Sequence, residues 1–394
     1  MATSATPRAL AAYLAVVQFF FATTWTLYVL YLPQLAQQAG IAKSWIPWIL
    51  VADQAVFAIA DVATGFWVDH VRKSLARLGG WISGVTAVSA LAFLALPYSG
   101  AHARLLLAAL VVWAISSSAL RSPPWVLLSR YAATPSVPGL SALVLAGSAL
   151  AAAGAPYLGL ALRGVDPRLP FVVSTLTLLA AVGGLVYAER RAPLPVPAGP
   201  AASSGSGAPQ AALFFVALLL MAAGFQVHFS FNSAPQYLKL AAPEQLPYLM
   251  PVFWIGFNLA MLPAGSVVRR LGAWHAMALA AAVGALATVA GVLAQRLEEL
   301  AAAQLVAGAA WGTVSVAAYT AAIGFGRSGR EGRFLGALFA VLAVAAFARI
   351  AASAGGLAAT AAFKALLPWL PAGAWLLAAV LLAGAAATRR AAAA

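Results

Sequence analysis

The sequence predicts an all-α polytopic membrane protein: twelve transmembrane helices in two six-helix bundles, with both termini cytoplasmic. Three observations carry this. Of 394 residues, 63% are hydrophobic and only 8% charged, against roughly 25% charged in soluble domains. Apolar blocks long enough to supply the ~20 residues that cross ~30 Å of hydrocarbon recur along the whole chain. A stretch rich in Pro, Gly and Ser divides these blocks six and six.

The first six blocks begin near Ala9, Ser44, Leu78, Ala103, Val137 and Leu169, and the second six near Ala211, Leu246, Ala273, Leu300, Phe334 and Leu366. Backbone groups in lipid must be satisfied internally, and the Ala/Leu content without strand-like alternation predicts helices rather than a barrel. The first block follows only MATSATPRA, with no small-residue cleavage site, so a retained helix is expected in place of a signal peptide. With no cysteine there is no disulfide framework. The dividing stretch, RRAPLPVPAGPAASSGSGAPQ, has the composition of a flexible linker. The expected organisation is therefore a bundle at 1–191, a linker at 192–210 and a second bundle at 211–394.

A net charge of +14 would suit a nucleic-acid partner if it were clustered. It is instead spread as a topology signal. With a cytoplasmic amino terminus, fourteen of the 23 Lys and Arg residues fall inside and seven outside, while Arg121 and Arg349 lie within the apolar blocks. This two-to-one bias follows the positive-inside rule. No enzyme is expected, because the chain has no phosphate-cradling Gly-rich loop with lysine, no metal-ligand cluster and no nucleophile–base motif. Of four histidines, His70, His102 and His275 fall at helix ends, and the soluble segments are too short for a nucleotide-binding domain. Neither a cofactor nor a metal is expected.

The two halves echo one another. Trp113, Ser117 and Arg121 are spaced i, i+4, i+8 on the fourth block, and Trp311, Ser315 and Tyr319 repeat that spacing on the tenth. GFWVDHVRK after the second block has a counterpart in GSVVRRLG after the eighth, with Gly65 and Gly265 in matching places. Such duplication is the parallel-repeat plan of many secondary transporters.

The acids are the sharpest signal. Asp53 and Asp61 sit inside the second block and Asp69 at its end, and no other acid falls within an expected span. An ionised acid at the centre of a membrane helix costs roughly 2.5–3.5 kcal/mol, so pairing or function is the default reading. Counted from the start of their blocks, Asp61 and Arg121 lie at similar depth, which makes Arg121 the expected partner. Desolvation disfavours the carboxylate charge about as much as an adjacent guanidinium favours it. Moving Arg121 by a few ångströms would therefore load or release a proton. A static buried pair holding the bundle together is the competing reading. Asp53 shows no partner in the sequence; it suits a second protonation site, a cation ligand, a contact for an amine solute, or a protonated structural acid.

The run Gly65–Lys73 resembles the loop between helices two and three of the major facilitator superfamily, roughly Gly-x-x-x-Asp-Arg-x-Gly-Arg-Lys. Gly65, Asp69, Arg72 and Lys73 stand in register once one glycine is deleted, and His70 replaces the arginine. The second copy keeps Gly265, Arg270 and Gly272, with Arg269 in place of the aspartate. GAPYLG (Gly154–Gly159) resembles that family's antiporter motif, and ADVATGFWVDHVR resembles the melibiose-type cation symporters, although Phe57 stands where those have a second aspartate.

The resemblance implies a gate in which Asp69 engages the opposite bundle, and a solute site lined by helices one, four, seven and ten. On those blocks the polar and aromatic residues are Gln18, Trp25 and Tyr28; Trp113, Ser117 and Arg121; Gln226, His228 and Asn232; and Trp311, Ser315 and Tyr319. Aromatic walls with a few polar groups suit a small-molecule pocket, and a Trp stripe at helical spacing equally suits packing. His228 is either a proton relay or a hydrogen-bonded core residue. Arg349 on the eleventh block favours an anionic solute.

The expected function is proton-coupled symport of a small organic solute, with proton-driven efflux of amphipathic compounds as one alternative and a non-transporting receptor or assembly factor as another. Expected partners are a small-molecule solute, protons or sodium, and membrane lipid, but no nucleic acid. The expected setting is a monomer in the bacterial inner (plasma) membrane.

Overall fold

The structure, a computed structural model, describes residues 6–71, 78–192, 208–327 and 329–393. The elements in chain order are α1 (Pro7–Gln38), α2 (Ile46–Val71), α3 (Gly79–Ala95), α4 (Ala103–Ser117), α5 (Pro123–Tyr131), α6 (Val137–Ala161), α7 (Arg168–Arg191) and α8 (Ala208–Val227). They continue with α9 (Ser233–Tyr237), α10 (Leu246–Leu249), α11 (Pro251–Leu271), α12 (Ala273–Leu293), α13 (Leu297–Gly326), α14 (Glu331–Ala354), α15 (Ala361–Leu366) and α16 (Leu370–Ala393). Among the described residues, ten helical stretches are long and apolar enough to cross a membrane, and two shorter apolar helices, Ala103–Ser117 and Leu370–Ala386, accompany them.

Two helices depart from the expected regularity, each beside a proline. The fourth block does not run through Arg121: α4 stops at Ser117, a 3₁₀ turn covers Ser118–Leu120, and α5 restarts at Pro123. Pro123 and Pro124 have no N–H to give the preceding turn, and their rings clash with it. Arg121 thus sits in a break rather than on a helical face. Its apparent repeat, Trp311–Ser315–Tyr319, lies on the uninterrupted α13. The seventh block also breaks its pattern. His228–Asn232 forms a π turn between α8 and α9, and Pro235 follows without a donor for the Phe231 carbonyl.

Within the N-terminal half, α1 packs against α6 and α7, and α3 against α4 and α7. Within the C-terminal half, α8 packs against α14 and α16, and α13 against α11 and α12. Two long seams join the halves, α2 along α14 and α6 along α11.

Seam contacts concentrate on the face that carries both termini. Here Gly65 lies so close to α14 that a Cβ would strike the Gly332 carbonyl, and a Cβ on Gly336 would strike the Asp61 carbonyl. A Cβ on Gly265 would come 2.7 Å from Gly139 Cα at the second seam. Trp125 of α5 stacks on Tyr319 of α13 at 4.0 Å, and Arg327 donates to the Thr134 hydroxyl. On the far face, rings of Tyr157 and Tyr248 meet at 5.9 Å.

Two buried acids escaped the sequence count, Glu331 at the start of α14 and Glu189. Glu189, in the last turn of α7, is 1% exposed and accepts from the Leu78 and Gly79 amides at 3.0 and 2.7 Å. It caps the start of α3, satisfying donors that a helix N-terminus leaves open.

Candidate functional site

Asp61 and Arg121 meet. The Arg121 Nη1 lies 2.7 Å from Asp61 Oδ2, with the carboxylate fully buried. By helix rise, Asp61 is ~15 Å from the α2 end at Val71 and ~22 Å from its start at Ile46. The break after Ser117 is what gives Arg121 this reach. Its guanidinium lies 5.0 Å from the ring centroids of both Phe57 on α2 and Phe339 on α14, one from each half. Phe339 in turn abuts Tyr319 at 5.5 Å. The pair is therefore clasped at the seam itself. Gln18 braces the break by donating to the Leu120 carbonyl at 2.9 Å.

Two turns below the pair on α2, Asp69 spans the seam. Its Oδ1 accepts from the Gly332 amide at 2.7 Å, and its Oδ2 from the Arg333 amide at 3.0 Å. Arg333 Nε stands 3.7 Å from the same carboxylate. A carboxylate here occupies the positive end of the α14 dipole and takes up two of its open donors. Of the other expected gate residues, Arg72 and Lys73 lie outside the described residues. Gly265 sits in the α6–α11 seam, and Arg270 is exposed at the end of α11. Asp69→Ala is expected to lose about 1–2 kcal/mol of stability through the uncapped helix start, with Asp69→Asn losing less. Chemical denaturation would show it, and equal stability of all three proteins would remove the capping role.

Asp53 is 5% exposed and accepts from the Tyr28 hydroxyl. Tyr28 joins an aromatic cluster with Trp25, at 5.3 Å, and Trp113, at 4.9 Å, and Trp25 stacks on Trp113 at 6.0 Å. Trp113 is 2% exposed and Ser117 is fully buried with its hydroxyl on the Ala114 carbonyl, so both are packing residues in this conformation. A cavity of about 570 Å³ opens beside Asp53 between α2, α4 and the α1–α2 turn.

The C-terminal half holds a separate polar group. His228 Nε2 is 2.9 Å from Gln304 Oε1, which also accepts from Ser233 at 3.3 Å, and Gln304 donates to Gln236 at 3.3 Å. Asn232 donates to the Leu367 carbonyl at 2.7 Å. Gln304 was missed in the sequence, where a lone amide inside AAAQLVAGAA was the available signal. Trp311 is buried and stacks on Phe225 at 4.7 Å. Arg349 donates through Nε to Gln226 at 2.9 Å, and both line a cavity of about 320 Å³ between α8, α14 and α16.

The helical membrane fold, with a buried ion pair clasped at the seam of its two halves and a carboxylate latching that seam, is that of a transporter and not an enzyme on the strength of its family and of similar solved structures. The family model of the Major Facilitator Superfamily matches residues 14–348, and the chain belongs to that superfamily. Solved structures agree in fold. A bacterial homologue of the iron transporter ferroportin, in its outward-facing state, has a TM-score of 0.72 at 15% identity, with 95% of this chain and 98% of that one covered. The human organic anion transporter MFSD10 (TETRAN) has a TM-score of 0.74 at 14% identity, covering 95% and 99%. The E. coli fucose:proton symporter FucP has a TM-score of 0.70 at 12% identity, covering 94% and 97%. No curated protein sequence matches.

Proposed function

We propose that the chain moves a small organic solute across a membrane by alternating access, coupled to protons through Asp61 and Arg121. In this reading the two shorter helices also cross, giving twelve spans with both termini cytoplasmic, in bundles at 1–191 and 211–394 of a bacterial plasma membrane. The seam closed on the termini face then corresponds to an outward-facing state, the state of the ferroportin homologue named above.

The observation that carries the proposal is the clasped pair. Arg121 holds the Asp61 charge only while Phe339 and α14 stay against it. Opening the termini face withdraws that wall, lets the guanidinium move, and changes the energy of the carboxylate charge by the several kcal/mol at stake in a dry site. Solute-driven rocking and proton binding are thereby linked. The test is flux in proteoliposomes under an imposed pH gradient, with a sodium gradient as the alternative drive. Asp61→Asn is expected to lose gradient-driven accumulation while keeping solute exchange. Continued accumulation by that variant would sink the coupling role.

The solute's charge has support on both sides. Arg349, in its cavity with the neutral Gln226, favours an anion. It stands five residues before the end of α14, ~7.5 Å from the surface by helix rise, where a long side chain can snorkel to water without any ligand. The Asp53 cleft favours the alternative of efflux of amphipathic compounds, since its carboxylate is largely buried with a neutral hydroxyl beside it.

A further inference from the structure

The 570 Å³ cleft beside Asp53 is larger than the Arg349 cavity and differently built. Its walls are Ile41, Trp45, Trp48, Leu107 and Val111, and Asp53 is its one ionisable lining residue. Trp45 and Trp48 are 60% and 46% exposed, so their faces are not committed to the core. Asp53 stands seven residues into α2, ~10.5 Å from Ile46 by helix rise, and lines the cleft while only 5% exposed itself. Its partner is a neutral hydroxyl, and among the described residues no Lys, Arg or His comes within ion-pair distance of it. The other two acids of α2 differ: Asp61 has Arg121, and Asp69 has a helix N-terminus.

We propose that this cleft binds a hydrophobic organic cation, with Asp53 as its counter-charge and the two tryptophans as its aromatic walls. The cation supplies what Asp53 lacks, an opposite charge beside a largely buried acid. Trp45 and Trp48 at the mouth add the attraction of a cation to an aromatic face. An apolar body fills the remaining wall, and the volume lies within the range of drug-sized pockets. An anion of equal shape meets the same walls and is repelled by the carboxylate. The site deepens the transporter reading by naming a substrate class, but its test is equilibrium binding, which stands whether or not flux is found.

The probes are tetraphenylphosphonium and tetraphenylborate, of like shape and opposite charge, titrated onto the purified full-length protein in phosphatidylglycerol nanodiscs, with empty nanodiscs subtracted. The cation is expected to bind at least about tenfold tighter than the anion. Asp53→Asn should weaken cation binding about tenfold, or 1.4 kcal/mol, and Asp53→Glu should restore most of it. Should Asp53→Asn fail to fold, Val111→Trp narrows the cleft from its α4 wall while leaving the Asp53 carboxylate in the sequence, and should weaken the same binding. Equal binding of both probes, or a Val111→Trp protein that binds the cation normally, overturns the site. Tighter binding of the borate overturns it in favour of an anion at Arg349. Cation binding lost in phosphatidylethanolamine nanodiscs would assign the cleft to a lipid ammonium group and overturn the solute. Cation binding with no proton-driven flux would sink the coupling proposal alone, and flux without cation binding would sink this one alone.

Discussion

Arg121→Met is expected to cost about 3–5 kcal/mol, because it strands a carboxylate with no solvent exposure in a dry seam. The loss exceeds what the ion pair contributes in net terms, since the pair's attraction is offset by the desolvation of both charges. The double change Arg121→Met with Asp61→Asn should therefore recover most of the stability, leaving two neutral groups of similar volume. Thermal or denaturant unfolding of the four proteins in one detergent gives the coupling energy directly. A double variant as unstable as Arg121→Met would mean that Arg121 acts through Phe57 and Phe339, not through Asp61. The same cycle separates the two readings of this pair. A static pair yields a neutral double variant that still transports, whereas a coupling pair yields a stable protein that no longer responds to a pH gradient.

Gly336→Val is expected to hold the termini face open. The obstruction is backbone on both sides: a Cβ at Gly336 meets the Asp61 carbonyl, and one at Gly65 meets the Gly332 carbonyl. No rotamer change relieves such a clash, so its cost sits at or above the upper end of the usual overpacking range, about 3 kcal/mol. A penalty of that size shifts a two-state equilibrium by roughly two orders of magnitude. Because the chain has no cysteine, a Thr134→Cys, Arg327→Cys pair bridged by a bifunctional thiol reagent about as long as the arginine side chain it replaces reports closure without background, Arg327 reaching Thr134 across the seam. Cross-linking should be fast in the otherwise unaltered protein and fall steeply with Gly336→Val, with solute transport lost alongside. Undiminished cross-linking would show that α2 and α14 can separate locally without opening the face.

Much of the site was legible because depth in a membrane is legible. Asp61 and Arg121 were matched by counting residues from the ends of their segments, and they meet. Asp69 fell at a helix end beside a known loop pattern, though its partners, the Gly332 and Arg333 amides, lie 263 and 264 residues away and no local signal names them. The helical break at Pro123–Pro124 was visible as two prolines yet overridden by the neat i, i+4, i+8 spacing of Trp113, Ser117 and Arg121. Glu189 was hidden by the two arginines that follow it, which read as the edge of a span.

Hydrophobic run length determined the membrane class, the number of apolar segments and the matching levels of Asp61 and Arg121, because lipid imposes those terms on every helix separately. What only the tertiary structure decided was rotation. Tyr28 turned toward Asp53, Gln226 toward Arg349 and Gln304 toward His228 because each helix settles about its own axis by packing against its neighbours. In helices apolar on nearly every face, the sequence carries little record of which side that will be.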